Sequence, residues 1–304
     1  MGASCLSIVP LLKAFLRRSA TAAGLTSQAA AIDGDTTIHF WGPPPAAAAA
    51  SSKPKLVLIH GFGPAGIWQW RDQISFFAGE FDVYVPDLVF FGGSSTESAS
   101  RCEIFQATCL AKLLEKLGVR RYSLVGTSYG GFVAYHMAAM WPERVEKVVI
   151  ASSAVNLRRH DNDELLRKAK SDKIEDLLMP VTTGQLRTLL RLVIFRRVYL
   201  PDFILNDFLH NLFCENRKEK LELLQGLTIG QDDTLNISPL SQEVLIVWGE
   251  RDQIFLLEKA VELNKLLGEN ARLQVIQRAS HAPQLEQPGR FNNIVKDFLN
   301  GQMQ

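Results

Sequence analysis

Ser128 lies in Gly126-Thr127-Ser128-Tyr129-Gly130, between the apolar run Tyr122-Ser123-Leu124-Val125 and the helical pattern from Phe132 to Ala139. A Gly-x-Ser-x-Gly at a strand-to-helix junction is a sharp turn that presents the serine hydroxyl as a nucleophile. The serine must hold an unusual backbone conformation, so the residues two places either side must be nearly free of side chain. The same turn aims the free N–H groups of the following helix at the place where negative charge would develop.

A hydroxyl needs a base, and two later apolar runs supply the partners. Val244-Leu245-Ile246-Val247-Trp248-Gly249 ends in Glu250-Arg251-Asp252, and Leu273-Gln274-Val275-Ile276 is followed by Ala279-Ser280-His281-Ala282-Pro283. The chain order is therefore serine, acid, histidine, each in the turn after a predicted strand. In an open α/β sheet such turns share one edge, where the three side chains can converge. Ser128 would attack an acyl carbon, His281 would take its proton, and Asp252 would fix the tautomer of His281 and stabilise the imidazolium. Glu250 competes for the acid role. Asp252 is preferred because it lies further past the strand end.

The oxyanion of an acyl transfer also needs donors. Lys55-Leu56-Val57-Leu58-Ile59 has the pattern of a buried strand and runs into His60-Gly61-Phe62-Gly63. One N–H from the residue after the nucleophile and one from this earlier loop would make the hole, which assigns Tyr129 and Phe62. His60 is expected to brace the loop by hydrogen bonding.

The elements that must position these groups alternate in type. Strands are expected at Thr36 to Trp41, Lys55 to Gly61, around Val83 to Pro86, before Ser128 and from Val145 to Ser153. A helix from about Arg101 to Leu117 and the one after Ser128 intervene. That alternation argues for a mainly parallel sheet covered on both faces. Gly42-Pro43-Pro44-Pro45 and the five alanines after it read as a surface loop. From about Asn156 to Asn236 the pattern turns helical, and the α/β pattern resumes at Val244 and closes with a helix after Pro288. The expected organisation is an N-terminal segment over 1–31, a first core part over 32–155, a helical insertion over 156–237 and a second core part over 238–304.

The set His60-Gly61-Phe62-Gly63, Pro86-Asp87-Leu88, Gly126-Thr127-Ser128-Tyr129-Gly130-Gly131, Trp248-Gly249-Glu250-Arg251-Asp252 and Ser280-His281 resembles the α/β-hydrolase superfamily. Within it, the stretch from Tyr129 to Ala134 is similar to plant monoacylglycerol-lipase-like serine hydrolases. The resemblance runs from about Ile32 to Leu299. It implies an α/β-hydrolase fold: a mostly parallel central sheet, helices on both faces, and a helical cap over the active site that excludes water and supplies pocket wall. The order serine, acid, histidine is the one this superfamily shows. Two departures stand out. Many relatives carry glycine where this chain has Phe90, so Phe90 and Phe91 are candidate walls of an acyl pocket, with core packing as the alternative. Ser128 occupies the position where epoxide- and halide-processing relatives use aspartate, which argues against both chemistries.

The resemblance implies a serine esterase or lipase acting on an ester with an apolar acyl group, a monoacylglycerol among the possibilities. Two alternatives share the same residues: a small-molecule receptor that turns over slowly, and a carbon–carbon bond hydrolase.

Bulk composition narrows the partners. At 47% hydrophobic and 21% charged, the chain fits a globular enzyme and not a disordered one. A net charge of +1 gives no reason to expect nucleic acid. Cys5, Cys102, Cys109 and Cys214 form no metal or redox spacing, and no metal or other cofactor is implied. Cys102 and Cys109 share a predicted helix roughly 10 Å apart, too far for a disulfide. An intracellular, reducing, cytoplasmic location is the simplest reading. No feature of the sequence specifies an oligomeric state.

The first segment qualifies the location. A helix begun by Pro10 would set Leu11, Leu12, Phe15 and Leu16 on one face and Lys13, Arg17 and Arg18 on the other. That pattern suits a membrane surface, or packing on the domain itself, and is too short to span a bilayer. The charges follow the apolar stretch, unlike a secretory signal. Gly2 lacks the Ser or Thr at position six that myristoylation wants, Cys5 is open to palmitoylation, and organelle targeting is a further reading. The cluster Arg187, Arg191, Arg196 and Arg197 around a strongly apolar stretch reads as a solvated helix face or as an anion-seeking one.

Overall fold

A computed structural model describes residues 7–235 and 237–302, so the readings made for Gly2 and Cys5 lie outside the described residues. Among these residues nine strands form one sheet: β1 (Thr26–Ala31), β2 (Thr36–Gly42), β3 (Lys55–Ile59), β4 (Asp82–Pro86), β5 (Ser95–Thr96), β6 (Tyr122–Thr127), β7 (Val145–Ala151), β8 (Glu243–Gly249) and β9 (Ala271–Ile276). Their order is β1-β2-β4-β3-β6-β7-β8-β9, with β5 beside β2. From β4 to β9 every pairing is parallel, while β1, β2 and β5 join antiparallel at one side. The chain leaves β3 for β4 on one side and returns to β6 on the other. The crevice between the β3 and β6 ends is therefore where the strand order reverses, the usual ligand position in such sheets.

Why these runs form strands is visible in their burial. Side chains of β3, β6, β7 and β8 alternate between two apolar layers, one holding Val57, Leu124, Val148 and Ile246, the other Leu58, Val125, Val149 and Leu245. Both layers are helix-covered, so the strands read as unbroken apolar runs. Helices Glu103–Lys116, Tyr129–Met140 and Leu257–Leu267 supply the first layer; Val9–Ala22, Arg71–Phe77 and Pro288–Leu299 supply the second.

Between β7 and β8 the chain is helical: Arg159–Ala169, Ile174–Leu178, Thr183–Val193, Asp202–Phe208, a π turn Leu209–Phe213 and Arg217–Gln225. This is the cap, with a small core of Leu186, Leu205, Leu209 and Phe213.

Two local features differ from expectation. The sheet begins at Thr26, inside the segment expected to stand apart, because β1 pairs with β2 along its whole length. β1 is an edge strand of Thr, Ser, Gln and Ala whose side chains bury little, so its backbone pairing left scant apolar signal. Pro45–Ala50 forms a short helix, not a loop, since proline suits a first helical position and alanine has the highest helix propensity.

The N-terminal helix buries Val9, Leu16 and Ala20 against the domain and leaves Leu11, Leu12 and Phe15 exposed. Its free N–H groups are capped from the cap itself: Ile8 and Val9 N–H donate to Asp207 Oδ2 at 2.8 and 2.9 Å.

The entry to the cap is held by charge. Arg158 donates to both oxygens of Glu262 at 2.5 and 3.0 Å, and Lys259 Nζ bridges Glu262 and Asp161 at 3.1 and 2.8 Å. Hydrogen bonding from Arg158 pulls the Glu262 carboxyl down from 4.5 to about 2. A depressed carboxyl contributes stability that is complete above its unfolded value and lost as pH falls through its folded one. Wild type should therefore melt above Glu262→Gln at pH 7, with the gap closing between pH 4.5 and about 2; thermal melts of both proteins across that range check it.

Candidate active site

Ser128 sits at φ 51 and ψ −123, a conformation that costs a side-chain-bearing residue about 1–3 kcal/mol. Close packing holds it there. Ser128 N–H donates to Ala151 O at 2.9 Å, and Gly131 N–H returns to Ser128 O at 2.8 Å. A Cβ at Gly130 would lie 2.3 Å from Ile59 O, so the turn can press against the end of β3 only because that position is glycine.

The structure brings the three expected side chains together. Ser128 Oγ is 2.9 Å from His281 Nε2, and His281 Nδ1 is 2.9 and 3.1 Å from the two oxygens of Asp252. Asp252 Oδ1 also accepts from the N–H groups of Ile254 and Phe255 at 2.9 and 3.0 Å. An ionised carboxylate only accepts, so Nδ1 of His281 carries the proton and Nε2 is left to accept from the serine hydroxyl. Asp252 and His281 are both buried, and the Phe255 ring meets the imidazole edge-on at 5.4 Å. Glu250 turns elsewhere: its carboxylate faces the Arg278 N–H and the Arg251 guanidinium, each at 3.4 Å.

Tyr129 opens the helix after Ser128, so its N–H has no partner within that helix. Phe62 lies in the loop after β3, beside it, and the two rings meet edge-to-face at 5.9 Å. The loop is braced twice. Gln69, which sequence reasoning missed, accepts from Gly61 N–H at 2.9 Å and donates to Gly61 O and Pro64 O at 3.0 and 2.6 Å. His60 accepts from Leu88 N–H at Nε2, 3.0 Å away, so its proton is on Nδ1, which donates to Gly61 O at 2.8 Å. Burial pushes the His60 pKa down, which keeps this brace neutral.

Phe90 and Phe91 do not line the cavity at Ser128. Both belong to the core beneath it. Phe91 packs edge-on against His60 and Phe62 at 5.1 and 5.3 Å, behind the loop. Phe90 is at φ 73, where glycine would be at ease, and its ring lies under Arg101 at 4.5 Å. The wall is built by the cap instead.

That cavity is about 680 Å³ and opens from Ser128 and His281 toward Leu157, Leu165, Leu186, Leu190, Phe208 and Phe213. Exposed Leu12, Phe15 and Val198 edge it. Two further residues tie the site to the cap: Ser280, which the Ser280-His281 pair contained without a role, and Glu286, which no motif announced. Ser280 Oγ donates to Leu192 O at 2.8 Å, and Glu286 accepts from Ser280 N–H and Phe195 N–H at 2.6 and 2.7 Å. Burial pushes the Glu286 carboxyl up, opposed by those N–H groups. Among the described residues no group of three or more His, Cys, Asp or Glu gathers as a metal site, and no helix is long and apolar enough to cross a membrane.

Comparison with known proteins places this geometry. Residues 54–288 match the family model for the alpha/beta hydrolase fold. The chain is 26% identical over 268 residues to the monoacylglycerol lipase ABHD6 of Mus musculus, covering 81% of this chain and 76% of that one. It is 27% identical over 259 residues to a 2-hydroxy-6-oxononadienedioate/2-hydroxy-6-oxononatrienedioate hydrolase of Paraburkholderia phymatum, covering 82% and 88%. Among solved structures, a membrane phospholipase A described as a bacterial virulence factor superposes with a TM-score of 0.79 at 24% identity, covering 97% of this chain and 93% of that one, a likeness of fold. With its sheet order, its elbow turn and a family match over most of its length, the chain belongs to the α/β-hydrolase fold family.

Proposed function

We propose that this protein hydrolyses carboxylic esters with an apolar acyl chain, monoacylglycerols among them, through an acyl-enzyme on Ser128. The observation that carries the reading is a hydrogen-bonded Ser128–His281–Asp252 relay at the base of a cavity walled by leucine and phenylalanine. Ser128 Oγ attacks the carbonyl carbon as His281 Nε2 takes its proton. The resulting oxyanion is received by the N–H groups of Phe62 and Tyr129, each such donor being worth about 3–4 kcal/mol in the transition state. Collapse breaks the ester C–O bond, and His281 returns the proton to the leaving alcohol. Water, deprotonated by His281, then attacks the acyl carbon and restores Ser128.

A carbon–carbon bond hydrolase is the second reading, favoured by the Paraburkholderia phymatum relative. The cavity speaks for the ester, because its wall is mostly leucine, isoleucine and phenylalanine with Arg71 as the one cation lining it among the described residues, whereas a diacid would want two.

A fluorophosphonate probe should label wild type and not Ser128→Ala, and His281→Ala should lose ester turnover nearly as fully. Asp252→Asn should lower kcat by about 10⁴-fold and Glu250→Gln should lie near wild type. The reverse ranking of Asp252 and Glu250 would overturn the acid assignment, and labelling with no turnover of any ester would overturn the substrate class. Leu190→Trp should cut kcat/KM for p-nitrophenyl palmitate relative to the butyrate by about tenfold or more, read from a chain-length series.

The same mouth supports peripheral membrane contact of an intracellular enzyme. Phe15 and Val198, 66 and 49% exposed, edge that mouth, and Leu11, Tyr199 and Phe203, 70, 83 and 53% exposed, stand near them in the chain, as do the exposed Arg196 and Arg197. Apolar side chains rimmed by cations suit an anionic bilayer surface. Co-sedimentation with phosphatidylserine vesicles should fall several-fold in the double variant Leu11→Ser, Phe15→Ser; equal binding by both proteins would count against this contact.

A further inference from the structure

A second cavity, of about 590 Å³, lies across the loop after β3 from the first, and the two share Gly63, Pro64, Trp68 and Leu212 as wall. It is enclosed by the N-terminal helix, β2, the loops after β3 and β4, and the cap from Asn211 to Lys220. Its polar content is unlike that of the first. Lys220 is 3% exposed, and its Nζ lies 4.9 Å over the Phe91 ring. Among the described residues it has no hydrogen-bond acceptor and no carboxylate within ion-pair distance. Lys13 and Arg17 line the exposed side, with Arg17 stacked on Trp41 at 5.7 Å.

The acids of this cavity, Glu215 and Asp87, act on Lys220 only from a distance and form no ion pair with it. Asp87 is already engaged by His39 Nδ1 at 2.8 Å and by Gly66 N–H at 2.9 Å. His39 in turn meets Ser27 Oγ at 2.7 Å, and Glu215 sits on the exposed edge. The Lys220 side chain is buried while its ammonium still reaches the cavity, and an anion brought there meets a cation that holds no hydrogen-bonded partner among the described residues. Cations reach the space from two directions, Lys220 from the cap and Lys13 with Arg17 from the N-terminal helix. A phosphate, with three outward oxygens and more than one charge, suits a space lined by several cations better than a carboxylate, which offers two oxygens and one charge.

We propose that this second cavity binds a phosphate-bearing group, held by Lys220 at its base and by Lys13 and Arg17 at its edge. Two sources of that group fit. It can be the head group of an ester whose acyl chain occupies the first cavity, a reading that rests on the proposed esterase activity, or a free phosphorylated small molecule bound beside the reaction site.

The test uses the full chain and two probes. Calorimetry with sn-glycerol 3-phosphate, against glycerol as the uncharged control, should show binding by wild type that is weakened about tenfold or more in Lys220→Met. The exposed double variant Lys13→Gln, Arg17→Gln should weaken it several-fold, and it keeps the test valid if the buried variant fails to fold. In a second arm, the ratio of kcat/KM for 1-oleoyl lysophosphatidic acid over 1-oleoylglycerol should fall about tenfold or more in Lys220→Met if the group is a substrate head group. Lost binding with an unchanged ratio assigns the site to a free phosphorylated molecule. Absence of glycerol 3-phosphate binding in wild type, or binding that neither variant weakens, overturns the proposal. The calorimetry needs no turnover, so failure of the esterase reading would leave this result standing.

Discussion

Backbone pressed against backbone is the constraint from which the site follows. The turn at Ser128 rests on the end of β3 through Gly130, and the turn after β8 rests on the His281 loop through Gly249, where an added Cβ would lie 1.9 Å from Ser280 O. The first contact sets the nucleophile beside the proposed oxyanion donors, and the second sets the acid beside the histidine. A side chain at either glycine would force the loops apart by an ångström or more. Misplacement on that scale would cost the proposed acyl transfer about a hundredfold, which ties these contacts to rate as well as to stability. The strain at Ser128 persists because the neighbouring strands leave the turn nowhere to relax.

Most of the fold was readable because its logic is local. Strands buried on both faces must be continuously apolar, and β3, β6, β7 and β8 announced themselves that way. The relay was readable for a related reason: in a parallel sheet every strand's following turn reaches the same edge, so chain order alone put Ser128, Asp252 and His281 within reach of one another. The mainly parallel sheet and the helical insertion followed from the same alternation and its interruption, while the α/β-hydrolase fold followed from the resemblance carried by the motifs around Ser128, Asp252 and His281.

The rest depends on contacts between residues far apart in the chain. β1 was missed because an edge strand of small polar residues is held by its neighbour's backbone. Phe90 and Phe91 were read as wall or core because phenylalanine stands where many relatives carry glycine; only the packing shows Phe91 behind Phe62, supporting the loop from beneath, and Phe90 against Arg101. The apolar face of the first helix was read as one surface, yet Leu16 packs inward while Leu11 and Phe15 stay in solvent. Periodicity places a residue on a helix face, but not the element that meets it.

Cap and relay are mechanically one assembly. The cap enters through Arg158 on Glu262 and leaves through Arg101 on Glu222 and Thr228 N–H on Glu103. Between these anchored ends the cap is stitched to the loop around His281: Ser280 Oγ on Leu192 O, Ala282 N–H on Val193 O at 3.3 Å, and Glu286 bridging Ser280 and Phe195. A cap that lifts to admit substrate must therefore pull on the residues either side of the histidine. In this arrangement the stitched loop holds Nε2 at 2.9 Å from Ser128 Oγ beneath the leucine wall. The cap that would exclude water and the loop that holds the proposed base are thus joined, so in the proposed reaction the filling of the cavity and the placement of His281 bear on one another.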